Sequence, residues 1–153
     1  MTQMMKNASV DPRELEAYLH EKIPLTRAMG VRVERVEAGG VVLAAPLGAN
    51  HNHLGTAFGG SLAALATLAG YCVLWVSLGD RGGHIVVKRS EIDYRRPVTG
   101  DLRAECRAPS AEALGEFRAR YAERGRARLR LEARVTQDGE TCVEFAGDFV
   151  ALR

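Results

Sequence analysis

The stretch from Leu54 to Gly79 contains no charged side chain, and this constrains the fold more than any other feature. A helix that is apolar on every side must be buried, in lipid or in a protein core. A membrane span needs about 20 consecutive apolar residues. Here Gly55, Thr56, Gly59, Gly60, Ser61, Thr67, Gly70 and Ser77 dilute the run. The sequence therefore predicts a helix over about Gly59–Leu78, enclosed by protein rather than membrane, with Gly79-Asp80-Arg81-Gly82-Gly83 stopping it.

What encloses that helix is read from the rest of the chain. Asp11-Pro12 and the periodic Leu15, Tyr18, Leu19 and Ile23 predict a short amphipathic helix ended by Pro24. Val31–Val36 and Val41–Leu47, either side of Gly39-Gly40, predict a β-hairpin. After the long helix the pattern is extended: Ile85–Tyr94, Leu102–Ala108, Arg126–Thr136 and Thr141–Leu152. In the third of these, Ala127, Leu129, Leu131, Ala133 and Val135 alternate with Arg126, Arg128, Arg130, Glu132 and Arg134. That is the period of a half-buried antiparallel strand. The segment Ser110–Arg124 fits either a helix or an extended strand with a bulge at Gly115. The sum is an α+β fold in which a curved antiparallel sheet wraps one long buried helix, with a second copy of the chain closing what remains open.

At 153 residues with 46% hydrophobic content, the chain can bury one core and not two. We expect one domain over residues 11–153 behind a flexible tail, residues 1–10, that does not look like a signal peptide. The 21 basic and 19 acidic side chains leave a net charge of +2, which draws in neither nucleic acid nor an anionic membrane. The arginine stripe of Arg126, Arg128 and Arg130 reads as a solvated outer strand face. Cys72, Cys106 and Cys142 are widely spaced, with no CxxC pair. They read as buried thiols of a cytoplasmic protein, with no metal site expected.

The chemistry-bearing segment is Asn50-His51-Asn52-His53-Leu54-Gly55-Thr56-Ala57-Phe58-Gly59-Gly60-Ser61, which runs straight into the long helix. Two glycines at a helix start let a ligand approach the backbone, where first-turn amides point outward unclaimed. Such a start suits the oxyanion that develops in acyl transfer, and also suits mere helix packing. No Gly-Lys-Ser/Thr or GxGxxG phosphate loop follows a strand.

From about Ile23 to Val150 the chain resembles the hot-dog-fold thioesterases, most closely the thioesterase domain at the C-terminus of YiiD-type acetyltransferases. The resemblance rests on the Asn50–Ser61 segment and on the turn Asp93-Tyr94-Arg95-Arg96-Pro97-Val98-Thr99-Gly100-Asp101. It implies the hot-dog fold and hydrolysis of an acyl thioester, acyl-CoA or acyl carrier protein, with coenzyme A entering only as part of the substrate. It further implies a homodimer or homotetramer with the pocket at the dimer interface.

Better-known members carry an Asn, then His-Gly-Gly, then an acid further down the helix. Mapped onto this chain, Asn52 takes the Asn position, Phe58-Gly59-Gly60 the His-Gly-Gly positions, and Thr67 the position of the acid. Phe58 cannot hydrogen-bond as His would, and Thr67 has no charge with which to activate water. The expected catalytic set is therefore Asn52, Gly60 and Thr67, with Phe58, Gly59 and Ser61 lining the substrate and His51 or His53 as the alternative base. Arg95 and Arg96, then Lys88 and Arg89, are the candidates for the coenzyme phosphates, against the reading of solvated charges. His20 reads as a surface helix residue and His84 as structural. Two rivals stay open: a non-catalytic acyl-thioester binding or regulatory protein, and a hot-dog hydratase or dehydratase.

Overall fold

The computed structural model of the chain describes residues 10–79 and 83–153. The expected tail, apart from Val10, and the centre of the turn at Asp80–Gly82 lie outside the described residues. The charge-free run forms helix α3, Gly59–Leu78, ended by Gly79 in the left-handed conformation. By length and composition α3 could cross a membrane. It is instead the core helix, with Leu62, Leu65, Ala66, Leu68, Ala69, Cys72, Val73, Leu74 and Trp75 all buried.

Six strands surround it: β1 (Arg32–Glu37), β2 (Gly40–Ala45), β3 (His84–Tyr94), β4 (Leu102–Arg107), β5 (Arg126–Gln137) and β6 (Glu140–Leu152). They make one curved antiparallel sheet in the order β1-β2-β4-β5-β6-β3, so β1 and β3 are its edges. The alternation in β5 gives its faces as the sequence implies. Ala127, Leu131, Ala133 and Val135 are buried, while Arg126, Arg128, Arg130, Glu132 and Arg134 are exposed. The β5–β6 hairpin turns through Asp138 (φ 51°) and Gly139 (φ 77°), the doubly left-handed pair that matches strand twist. Across the sheet α3 comes close to β6 because Gly70 has no side chain. A Cβ there would lie 2.6 Å from the Phe149 ring.

Two expectations change. Pro24 does not simply end the first helix: α1 spans Pro12–Lys22, and Pro24 opens a second short helix, α2 (Pro24–Met29). Proline disrupts a helix it interrupts but is pre-organised for the first position of a new one. Of the two readings of Ser110–Arg124, the helical one holds, as α4 (Ala111–Arg124) capped by the Ser110 hydroxyl on the Ala113 amide. Phe117 and Tyr121 face the core, and the Arg118 guanidinium donates to the Ser77 carbonyl near the end of α3.

Helix α1 closes another side of α3. The Tyr18 ring packs on Trp75 at 4.8 Å, and the Tyr18 and Tyr71 hydroxyls bond at 3.2 Å. One stripe of α3 stays uncovered within the chain. Gly60, Ala64, Thr67 and Tyr71, at helical spacing, all remain partly or fully exposed. Edge strand β3 beside it also exposes Val86, Val87 and Tyr94.

Candidate active site

The loop before α3 is built by its asparagines. Asn50 is buried, its amide nitrogen donating to the Met29 and Pro46 carbonyls, and its own carbonyl accepts from the Phe58 amide. Asn52 organises the tip. Its Oδ1 accepts from the amides of Leu54 (2.8 Å) and Thr56 (3.2 Å), and its Nδ2 donates to the Thr56 hydroxyl (2.8 Å). Gly55 supplies the left-handed residue the turn needs (φ 78°). The loop is then tied to the β3–β4 connection by the Ala57 amide donating to the Val98 carbonyl at 2.8 Å.

This brings the segment after β3 against the start of α3. An open pocket of about 340 Å³ lies between them, lined by Asn52, Thr56, Gly59, Tyr94, Arg95 and Arg96 among others. No side chain caps the helix. Its first ladder bond runs from the Leu62 amide to the Phe58 carbonyl, which leaves the amides of Gly59, Gly60 and Ser61 without a partner among the described residues. Three such donors at the positive end of a 20-residue helix form a locus for negative charge.

The expected residues are only partly gathered here. Asn52, Gly59, Arg95 and Arg96 share the pocket. Phe58 is exposed, and its ring lies over Gly60, where a Cβ would stand. Thr67 lies two turns down the uncovered stripe, its hydroxyl donating to the Ala63 carbonyl at 2.8 Å. Its proton is thus committed, and Thr67 can meet a water only as an acceptor. Asn52 has one amide hydrogen beyond those the loop uses.

His51 and His53 are exposed at the loop tip and do not line the pocket. Because a carbonyl only accepts, the 2.8 Å contact of His51 Nδ1 with the Asn52 carbonyl puts the proton on Nδ1 and leaves Nε2 free. Lys88 and Arg89 lie about 17–20 Å up an extended strand from Tyr94, at a bulge between Val87 and Arg89. His20 is not a plain surface residue, since its Nε2 donates to the Val31 carbonyl at 2.8 Å. His84 is exposed and opens β3.

Electrostatics separates the arginines. Arg95 Nη2 pairs with Glu144 at 2.9 Å and Arg96 with Glu140, all four side chains being well exposed. Such pairs contribute about 0–1 kcal/mol, so an anion of higher charge can displace the carboxylates. A larger hollow, about 720 Å³, opens on the outer face of the sheet among Glu91, Glu105, Arg130, Arg134 and Glu144. Its guanidinium groups are held by carboxylates, Arg130 by Asp148 at 3.1 Å and Arg134 by Glu105 at 3.2 Å. None of the expected catalytic residues lines it.

Burial, then proximity to Cys106, raises the Cys72 thiol well above the ordinary thiol range, and burial with the nearby Glu105 charge pushes Cys106 up to about 12. All three cysteines are free and buried, hence inert rather than nucleophilic. Tyr71 is likewise held protonated, chiefly by desolvation and then by its bond with Tyr18.

Sequence reasoning missed Tyr94 and Asn50. Tyr94 is exposed, and its hydroxyl donates to the Gly59 carbonyl at 3.3 Å. Its position at the end of a strand leading into Arg95-Arg96-Pro97 was the available signal.

A family model described as "Putative thioesterase (yiiD_Cterm)" matches residues 12–153. The chain belongs to this YiiD C-terminal family. Solved structures agree on the fold. A protein of unknown function from Chlorobaculum tepidum TLS is similar over 95% of this chain and 99% of its own, at 29% identity and a TM-score of 0.88. A Pseudomonas aeruginosa protein of unknown function, described as a probable thioesterase, is 34% identical over 93% of this chain and 96% of its own, with a TM-score of 0.78. A "putative thioesterase" from Shewanella oneidensis is 27% identical over 93% and 97%, with a TM-score of 0.79. This YiiD C-terminal domain therefore has the hot-dog fold.

Proposed function

We propose that the protein hydrolyses an acyl thioester, acyl-CoA or acyl carrier protein, at the first turn of α3. The observation that carries this reading is the uncapped helix start, with three unclaimed amides beside a pocket edged by two arginines. Water oxygen bonds to the thioester carbon, the carbonyl oxygen becomes an oxyanion facing the Gly60 amide, and the C–S bond breaks. The sulfur leaves with the proton that water gives up, yielding a carboxylic acid and a thiol. Phe58, Gly59 and Ser61 border the carbonyl, and the acyl chain follows the uncovered stripe of α3. The pantetheine leaves towards Arg95 and Arg96, which exchange their carboxylate partners for phosphate. Lys88 and Arg89 lie too far up β3 to share that phosphate site within one subunit.

The water is held by Thr67 as an acceptor and by the remaining Asn52 amide hydrogen, neither of which is a strong base. His51, with Nε2 free, and His53 are the alternative bases. Gly60 and Thr67 meet across two copies of the chain. The free β3 edge, the exposed Val87 and Tyr94, and the uncovered stripe of α3 together favour a two-fold dimer. Antiparallel pairing of two β3 strands about Ser90 would set Arg89 of one copy opposite Glu91 of the other. The free buried thiols suit a reducing, cytoplasmic setting.

Release of free thiol from a series of acyl-CoAs tests this function. Turnover that depends on chain length supports it. Tight binding without release would favour the second reading, a non-catalytic thioester-binding protein, which the missing acid at Thr67 permits.

A further inference from the structure

The Gly59 carbonyl and the Gly60 amide belong to one peptide unit. Tyr94 donates its hydroxyl to that carbonyl oxygen at 3.3 Å, and its ring lies 3.6–3.8 Å from where a Cβ on Gly59 would stand. The Phe58 ring in turn occupies the place of a Cβ on Gly60. The peptide that opens α3 thus has an aromatic ring against each of its two glycines, and among the described residues its side-chain hydrogen bond comes from Tyr94.

A carbonyl oxygen has two lone pairs, so the Tyr94 bond adds to the helix ladder rather than replacing it. A donor on the oxygen of an amide draws charge towards that oxygen and strengthens the N–H of the same unit as a donor, by about 10–30% per bond in condensed-phase estimates. It also fixes the plane of the peptide, and with it the direction of the N–H. Oxyanion stabilisation depends on both strength and direction, because a pre-aimed donor needs no reorganisation when charge develops.

We propose that Tyr94 is a positioning residue for the thioester hydrolysis proposed above, acting through the Gly59–Gly60 peptide to aim and strengthen the Gly60 amide. The inference rests on that functional reading. A packing role belongs to the ring against Gly59, which Tyr94→Phe retains, whereas the positioning role needs the hydroxyl bond to the Gly59 carbonyl. Removing its hydroxyl leaves no buried group unsatisfied.

The test is Tyr94→Phe, which keeps the ring against Gly59 and removes only the hydroxyl. Turnover should fall about ten-fold, less than the loss of an oxyanion donor itself, with KM and the melting temperature unchanged. In the amide proton–nitrogen spectrum of the unliganded protein, the Gly60 proton should move upfield as its peptide loses polarisation. Wild-type turnover in the variant, an unmoved Gly60 resonance, or a rise in KM alone would each overturn the proposal. Absence of thiol release from the wild-type protein would instead overturn the functional reading, while the Gly60 resonance still reports on the Tyr94 bond.

Discussion

Gly60 and Thr67 lie on the same uncovered face of α3, seven residues apart, which separates them by about 10 Å along the helix axis. Reacting atoms must approach to about 3–3.5 Å. A water held by Thr67 therefore cannot attack a carbonyl held by Gly60 of the same chain. If both residues serve one reaction, they come from different copies.

This geometry predicts complementation. Asn52→Ala and Thr67→Ala should each lower turnover by about 10–1000-fold, the range for losing an oxyanion-type or positioning contact. Random mixing of the two variants should restore about a quarter of wild-type activity, because half the dimers are mixed and each has one intact site. Mixtures no more active than their parents would place both residues in one subunit's site.

A carboxylate at residue 67 would supply the base this chain lacks. Thr67→Asp or Thr67→Glu should raise turnover in folded protein and give it an acid limb with an apparent pKa in the carboxylate range. Slower hydrolysis in a variant with unchanged melting temperature would show that Thr67 does not face the attacking water.

The paired arginines give an opposite-signed prediction for their neighbours. Replacing Arg95 and Arg96 with alanine should raise KM with little change in kcat, the mark of binding lost equally in ground and transition states. Replacing Glu140 and Glu144 with glutamine should lower KM, since it frees the guanidinium groups. Added salt should shrink both effects.

Gly70 tests the core. An alanine gains about 1 kcal/mol of helix propensity over glycine, but its Cβ would meet the Phe149 ring at 2.6 Å. Overpacking costs about 1–3 kcal/mol, so Gly70→Ala should lower stability to urea. Trimming the ring opposite, with Phe149→Leu, should recover part of the loss. A more stable Gly70→Ala protein would mean that α3 stands further from β6.

Legibility differed along the chain for physical reasons. The limits of α3 were readable because a charge-free run between Phe58 and Gly79 has one period and clear stops. The faces of β5 were readable because arginine and aliphatic residues alternate without a break. Helix α2 was not, because six residues from Pro24 carry too little periodicity, and proline reads equally as a stop or a start. In the site, the glycines and arginines declared themselves by type. The occupation of Asn52 by its own loop did not, since it depends on three hydrogen bonds that exist only once the turn closes. Tyr94 was hidden for a similar reason. Its partner is a backbone carbonyl thirty-five residues away.

Hydrolysis at the start of α3 is tested most directly by turnover of acyl-CoA in water enriched in oxygen-18, with both products analysed. The account predicts free coenzyme A together with an acid carrying a single heavy oxygen, and release of both slowed by about 10–1000-fold in Asn52→Ala. Acyl-CoA bound tightly and recovered intact, or a hydrated enoyl thioester with its C–S bond preserved, would contradict it.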